Sequence, residues 1–557
     1  MNKIENVLID TIKEVIKEKF DYEPADGMVM IEIPKDNTNG DYSTNIAMRL
    51  TKVLRRRPQE IADELVAGLQ GKLGNTEKIA IAGPGFINFW IKKSELADVI
   101  NTVIEQGDKY GNNNSGNDFP ILVEYVSANP TGILHLGHAR GAAWGDSTCR
   151  LLKASGYNCL REYYINDNGR QMDMLALSVQ ARYFELFGKE FTLPEDGYHG
   201  LDIIDIAKQI KEEYGDKWLN VPNEEALKFF KEEGYHLEMK RIEEDLKYFG
   251  CEFDSWVSEK AIVDAGRVDD ALKIMVEKGL TYEQDGAFWF KSTEYGDDKD
   301  RVLKKSDGFY TYLTPDIANH VYKFERGYKK LVNLWGADHH GYVPRMQAAI
   351  TALGYPKGSL EVDIIQMVRL VENGEEVKMS KRTGNAITIR ELVDDIGLDS
   401  ARYFFLSRAV DTHLDFDLTL ARTKSNENPV YYAQYAYARI CTALNKAKEA
   451  GIEVGELDTY DLLVNEKETD LLKHISSFPT VVADAALTRS PNKICNYIQK
   501  LAQYFHSFYG ALKMIDTNNI ELSKQRLALS LATKITLKNA LYLVGVSAPE
   551  KMESNEK

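Results

Sequence analysis

"FPILVEYVSANPTGILHLGHARGAAWGD", Phe119 to Asp146, decides how the rest of the chain is read. Its first third, "FPILVEYVS", is apolar and β-rich, as suits a strand buried on both faces of a parallel sheet. A turn of small residues and proline follows, "SANPTG", and then a Gly/Ala-rich helical segment from about Leu136 to Ser155. "NCLREYYIND" reads as a second strand. Strand, helix, strand opens a doubly wound, Rossmann-like parallel sheet. The turn then lies at the carboxyl end of the first strand, where open α/β sheets bind ligands.

That turn carries "HLGH", with His135 and His138 at i, i+3, so both rings leave one face of a helix that starts there. Gly137 between them removes a side chain and lets a flat ring lie against the backbone. A helix N-terminus adds positive potential and free N–H groups for phosphate oxygens, and the imidazoles can donate to oxygens that gain charge in a transition state. Taken alone, the pair also suits a structural role or a metal. No third ligand is visible nearby, so no metal is expected.

Outward from this stretch, the 557 residues imply roughly three to four domains. The apolar share is 44%, ordinary for a globular protein, and the formal net charge is −16, so any polyanion would have to meet local basic patches. Cationic runs occur at Arg55–Arg57 and in "KMSKR", Lys378 to Arg382. The five cysteines are scattered, with no C-x-x-C pair, which argues against a disulfide scaffold or a Cys-type zinc site. The charged N-terminal stretch lacks a signal-peptide core, and no apolar run of about 18 residues argues for a membrane span. A cytoplasmic enzyme is expected.

Residues 1–112 read as an N-terminal α+β unit, closed by the linker-like "YGNNNSGND", Tyr110 to Asp118. In it Ile4, Val7, Leu8, Ile12, Val15 and Ile16 fall at helical spacing, and "IAIAGPGFINFWI" reads as strand, turn, strand. The catalytic fold is expected over 118–425, interrupted by a charged, largely helical insertion over 172–300 with no sheet pattern. The sheet resumes at "KLVNLWGADHHGY" and "EVDIIQMVRLV". Residues 428–557 read as an all-α bundle.

A second basic element lies in "VRLVENGEEVKMSKRTGN". Asn373-Gly374 between apolar runs predicts a two-residue hairpin. The loop after it offers Lys378, Ser380 and Lys381, and compact ammonium groups suit a departing pyrophosphate; a solvated basic loop is the plainer alternative.

The two elements together, in this order and with a long insertion-bearing stretch between them, resemble the paired signatures of class I aminoacyl-tRNA synthetases. The surroundings resemble the arginyl-tRNA synthetase family across essentially the whole chain: "VEYVSANPTGILHLGHARG", "YLTPDIAN" (Tyr312 to Asn319), "KMSKRTGNAITIRELVDDIG" and "NPVYYAQYAYARI". The first signature runs Ala128, Asn129, Pro130, Thr131, Gly132, Ile133, Leu134, His135, Leu136, Gly137, His138. The resemblance implies ATP-dependent formation of arginyl-adenylate with release of pyrophosphate. Transfer to the 3′-terminal adenosine of tRNA(Arg) follows, and activation requires bound tRNA. It implies ATP with substrate-borne Mg²⁺, no protein-bound zinc, no membrane partner and a monomer.

Residue by residue, the resemblance implies catalytic roles for His135, His138, Lys378 and Lys381, and ATP contacts for Gly137, Asp338, His340, Met367 and Ser380. It places Glu124, Ser127, Asn129, Tyr312 and Asp316 in the arginine pocket. The chemistry agrees, because a planar guanidinium needs paired acceptors, which carboxylates supply bidentately. Tyr312 and Asp316, four apart, would share a helix face. Glu124 could instead be an edge-strand surface charge, and Asp316 a helix cap. "DHH", Asp338 to His340, raises a metal-dependent phosphoesterase as a rival, although such a site needs further Asp and His ligands. A catalytically silent tRNA-binding homologue is the other alternative. The N-terminal unit with Arg55, Arg56 and Arg57 resembles the family's extra tRNA-contacting domain, and the C-terminal region its anticodon-binding domain. Tyr431, Tyr432, Tyr435 and Tyr437 suggest base stacking, but aromatics at i, i+4 are more often packing.

Overall fold

The computed structural model describes residues 3–34, 36–378 and 386–552. Five parallel strands form the central sheet: β1 (Pro120–Glu124), β2 (Asn158–Ile165), β3 (Ser255–Ser258), β4 (Lys330–Gly336) and β5 (Leu360–Ile365), in the order β5-β4-β1-β2-β3. The chain winds outward from β1 to β3 and then returns to the other side of β1. The reversal leaves a crevice at the carboxyl ends of β1 and β4. Register puts Asn333 of β4, Glu124 of β1 and Glu162 of β2 side by side across that edge.

Helix α1 (Leu136–Ala154) follows β1 and is buried along most of its length. Its small residues let it sit close to the sheet. A Cβ on Gly145 would lie 2.2 Å from the ring of Tyr125, which is itself fully buried just after β1. Any side chain there would push the helix off the strand and carry the histidine turn with it.

The stretch 172–300 is largely helical, but two corrections apply to its reading as a sheet-free insertion. Ser255–Ser258 is the outermost strand of the central sheet, and residues 281–304 contain three short antiparallel strands. Each of these strands has four residues, too few to display alternation in the sequence. "EVDIIQMVRLV" likewise divides at Gln366–Met367. β5 ends there, and β6 (Val368–Glu372) joins a second sheet with β7 (Glu375–Glu376) and β8 (Leu414–Asp417). Asn373 and Gly374 link β6 to β7 with φ of 52° and 83°, the paired positive values of a type I′ hairpin turn.

Helices Lys3–Phe20, Ile46–Leu54 and Pro58–Leu69 pack on a three-stranded antiparallel sheet around a core of their own, including Leu8, Ile12, Leu65 and Phe89. Five helices from Pro429 to Leu543 make the C-terminal bundle, whose core is continuous with that of the central fold. The N-terminal unit docks on the bundle: Lys473 Nζ meets Asp41 Oδ1 at 2.6 Å, and Thr480 Oγ1 donates to Glu5 Oε2 at 3.0 Å. All five cysteines are buried and free. No helix among the described residues is long and apolar enough to cross a membrane.

Candidate active site

The histidine turn is a reciprocal helix cap. His135 is the N-cap of α1, and its Nδ1 accepts from the Gly137 amide at 3.1 Å. The Nδ1 of His138 accepts from the His135 amide at 3.2 Å, and the two ring centroids are 4.1 Å apart. A Cβ on Gly137 would come within 2.9 Å of the His135 ring, so glycine is needed for the close approach. With both Nδ1 atoms accepting, each proton must sit on Nε2. Burial holds the His135 imidazole below its usual pKa, and burial together with His135 brings His138 down to about 4. Near neutral pH these are two uncharged rings with their protons on Nε2.

The second signature returns to this turn. Leu136 N donates to Ile387 O at 3.0 Å, and Ile389 N donates to Leu134 O at 3.1 Å, with His135 and Thr388 forming an antiparallel bridge. Thr388 caps helix α3 (Ile389–Ile396) in a capping box with Glu391. Residues 386–389, which close the basic loop, are thus fastened to the histidine turn. Lys378, which opens it, is exposed, with Nζ 4.0 Å from Glu376 Oε2. Ser380 and Lys381 lie outside the described residues.

Arg140, one turn further along α1, is fully buried and holds three carbonyls: Gln366 at 2.8 Å, Ala409 at 2.8 Å and Thr412 at 2.9 Å. It fixes the end of β5 and the loop before β8 against the histidine helix. Met367, beside Gln366, is 73% exposed, while its carbonyl accepts from Leu414 N at 3.3 Å. Asp338 and His340 are exposed in the six-residue 3₁₀ helix that follows β4. Asp338 Oδ2 lies 3.4 Å from His339 Nε2. Among the described residues no group of three or more His, Cys, Asp or Glu could hold a metal ion.

Glu124 ends β1 and is 6% exposed, in the middle of the sheet and not on an edge strand. Val126 and Ser127 both take left-handed backbone angles, φ 66° and 41°, costly for a β-branched residue. That kink brings Ser127 Oγ to 3.1 Å from Glu124 Oε1, where it donates, while it accepts from Tyr164 N at 3.1 Å. Asn129 is exposed.

Helix α2 (Leu313–Glu325) faces the same edge with Asp316, His320 and Lys323, spaced i, i+4, i+7. Asp316 is no cap, since Tyr312 occupies that position. Its Oδ2 accepts from the Tyr342 hydroxyl at 2.6 Å. Burial pushes its carboxyl up to about 7, with Glu124 and Glu259 adding to the rise and Tyr342 and Lys323 opposing it. Tyr312 does not share its surroundings: it stands 85% exposed, because the N-cap precedes the turn that buries Asp316. His320 is buried, with Nδ1 2.6 Å from Asp316 O and Nε2 2.7 Å from Asn333 Nδ2. Burial, aided by Lys323, brings its pKa to about 4. Lys323, fully buried, bonds Glu124 Oε2.

His320, Lys323, Glu162, Asn333 and Tyr342 were not among the residues read from the sequence. For His320, Lys323 and Glu162 the signal is the i, i+4, i+7 polar face of "DIANHVYK" and the charged residue inside β2; neither stretch contains Asn333 or Tyr342.

In the bundle, Tyr437 is core, and Tyr435 packs between Tyr431 (centroids 6.0 Å apart) and His506, with Arg439 over its ring. Tyr432 packs on His506 as well, with centroids 4.6 Å apart. Of the arginine run, Arg56 is tied to Glu64 at 2.6 Å, while Arg55 and Arg57 are exposed.

Three family models match the chain: the arginyl tRNA synthetase N-terminal domain over 6–91, the class I (R) tRNA synthetase catalytic domain over 99–408, and the DALR anticodon-binding domain over 433–552. Curated relatives named arginine–tRNA ligase include one from Bacillus anthracis, 54% identical over 99% of this chain and 100% of that one. Another, from Bacillus subtilis, is 55% identical over 99% of each. The fold superposes on Thermus thermophilus arginyl-tRNA synthetase with a TM-score of 0.75, at 21% identity, over 98% of this chain and 100% of that one.

Proposed function

The chain belongs to the arginyl-tRNA synthetase family and is an ATP-dependent arginine–tRNA ligase, and on that footing we propose how its residues divide the work. His135 and His138 donate from Nε2 to triphosphate oxygens. Lys378 and Lys381 neutralise the pyrophosphate as it leaves. Gly137, Asp338, His340, Met367 and Ser380 hold the rest of the ATP, whose phosphates carry Mg²⁺. Glu124, Ser127, Asn129, Tyr312 and Asp316 form the arginine pocket.

In the first step an oxygen of the arginine carboxylate attacks the α-phosphorus in line, and the bond to the β-phosphate oxygen breaks. In the second, the hydroxyl of the tRNA's terminal adenosine attacks the activated carbonyl and AMP departs. No side chain forms a covalent intermediate; positioning and charge stabilisation carry the rate. The observation that supports this reading is the pairing of 134–136 with 387–389, which ties the residues just past the basic loop to the histidine turn.

Residues 1–112 contact the tRNA body, 118–425 hold the chemistry, and 428–557 grip the anticodon arm. The enzyme works as a cytoplasmic monomer, which sedimentation would check. Confined basic faces must then bind an acidic RNA, so tRNA affinity falls as salt rises. The test is arginine-dependent exchange of pyrophosphate into ATP, with and without tRNA. Exchange with arginine only when tRNA is present supports the reading, and exchange with lysine or glutamate in its place overturns it. Lys381→Ala should slow activation while leaving tRNA affinity nearly unchanged. The metal phosphoesterase and the silent homologue find no support in relatives that are arginine–tRNA ligases along their full length.

A further inference from the structure

Two carboxylates stand next to each other inside the sheet. Glu124 of β1 and Glu162 of β2 are register partners on parallel strands, so their side chains leave the same face about 5 Å apart. Both are buried, Glu162 completely. Two buried carboxylates at that spacing cannot both stay ionised without cations between them.

The cations come from α2 and the residue after it. Arg326 Nη2 lies 2.5 Å from Glu162 Oε2, an oxygen that also accepts from Ser255 Oγ at 3.2 Å. Lys323 lies 3.8 Å from Glu162 Oε1 but bonds Glu124 Oε2 directly. Arg326 therefore serves Glu162, and Lys323 serves Glu124.

A carboxylate has about four acceptor sites, two on each oxygen. On Glu124, Ser127 Oγ takes one on Oε1, and Lys323 takes one on Oε2. One site remains on each oxygen. A paired acceptor of that kind is what a guanidinium fork requires and what a single ammonium uses poorly.

We infer that Lys323 is a positioning residue for substrate arginine: with Ser127 it clamps the Glu124 carboxylate so that one free lone pair per oxygen presents a paired acceptor to the guanidinium. The inference rests on the assignment of Glu124 to the arginine pocket made above.

The ionisable groups facing Glu124 are Lys323, His320 and Asp316 from α2, and Glu162 and Tyr164 from β2. Asn333, its neighbour on β4, is neutral. His320 stays uncharged near neutral pH, so Lys323 is the cation that keeps Glu124 ionised. Without it, burial and Glu162 drive a proton onto Glu124, and a donor replaces an acceptor.

The test compares Lys323→Met, Lys323→Arg and Glu124→Gln in full-length enzyme with saturating tRNA, measuring KM for arginine, KM for ATP and kcat from pH 6 to 9. Lys323→Met should raise KM for arginine about tenfold or more at pH 7, with the defect shrinking as pH rises and KM for ATP unchanged. Lys323→Arg, which keeps the charge, should restore most of the loss. Where the methionine variant does not fold, Lys323→Gln keeps a donor without the charge and should show the same pH-dependent defect.

A Lys323 variant whose KM for arginine follows the parent enzyme across pH, with losses only in kcat and thermal stability, overturns the inference. If Glu124→Gln leaves KM for arginine unchanged, the assignment of Glu124 itself fails. If Glu124→Gln raises that KM while the Lys323 variants do not, the positioning role alone is wrong.

Discussion

The amide of Leu136 donates to the carbonyl of Ile387 at 3.0 Å, joining two segments some 250 residues apart in the chain. One residue away on each side lie the N-cap histidine of α1 and the N-cap threonine of α3. Two helices therefore begin back to back, and residues 387–389, just past the basic loop, lie against the histidine turn. On the proposed reading, this junction would let groups so distant in sequence act on one triphosphate.

Ile389, a buried core residue, allows the junction to be tested against a matched control. Its N–H is spent on Leu134, and it occupies the first position of α3, where proline is tolerated. Ile389→Pro removes the bond, and Ile389→Ala removes comparable packing but keeps it. Pyrophosphate exchange should fall about fivefold further in the proline variant than in the alanine variant, the equivalent of one net hydrogen bond.

The histidines should behave as neutral donors. His138→Ala should slow arginine activation by about 10²–10³-fold, with a small change in arginine KM. The imidazole of His138, held at about 4, should show no titration between pH 6 and 8 by NMR. The same depression has a stability consequence. As pH falls from about 6.5 toward 4, the unfolded imidazoles of His138 and His320 bind protons that the folded ones refuse. The melting temperature should therefore drop through that window.

Asp316 has the opposite shift. Its carboxyl is held up to about 7, so the empty pocket is partly protonated at neutral pH, whereas a bound guanidinium favours the carboxylate. Arginine should bind more tightly as pH rises from 6 to 8, with release of a proton. Asp316→Asn should flatten that dependence and weaken arginine binding by roughly 10–100-fold, measured by calorimetry at several pH values.

Arg140 connects the histidine helix to the end of β5 and the loop before β8 through three carbonyls. Arg140→Met leaves those part-buried carbonyls without their donor and removes a buried guanidinium, so thermal stability should fall. KM for ATP should rise more than KM for arginine, because Gln366 and Met367 lose their tether. Arg140→Lys, a single point donor, should restore only part of either.

Much of this architecture was legible in the sequence because it is local. The strand, turn and helix of Phe119–Asp146 follow from an apolar run, a proline-bearing turn and a glycine-alanine run, and Asn373-Gly374 announces its hairpin. What stayed hidden depends on register or on non-glycine strain. Ser255–Ser258 is too short to signal a strand. Nothing in "YVSAN" marks Val126 and Ser127 as left-handed, since neither is glycine. Lys323 reads as an ordinary helix lysine until the register of β1 with β2 sets two buried carboxylates beside it. Tyr312 and Asp316 looked like a pair by spacing, but the helix start separates an exposed ring from a half-buried carboxylate.

The central claim is that the imidazole pair, the lysine loop and the acidic pocket converge on a single reacting centre. A crystal structure of the enzyme with tRNA and a non-hydrolysable arginyl-adenylate analogue tests it most directly. The account predicts the phosphate mimic within hydrogen-bond reach of His138 Nε2 and a lysine of the loop, and the guanidinium bridging Glu124 and Asp316. An analogue bound with its guanidinium away from both carboxylates, or with its phosphate mimic out of reach of both histidines, would contradict it.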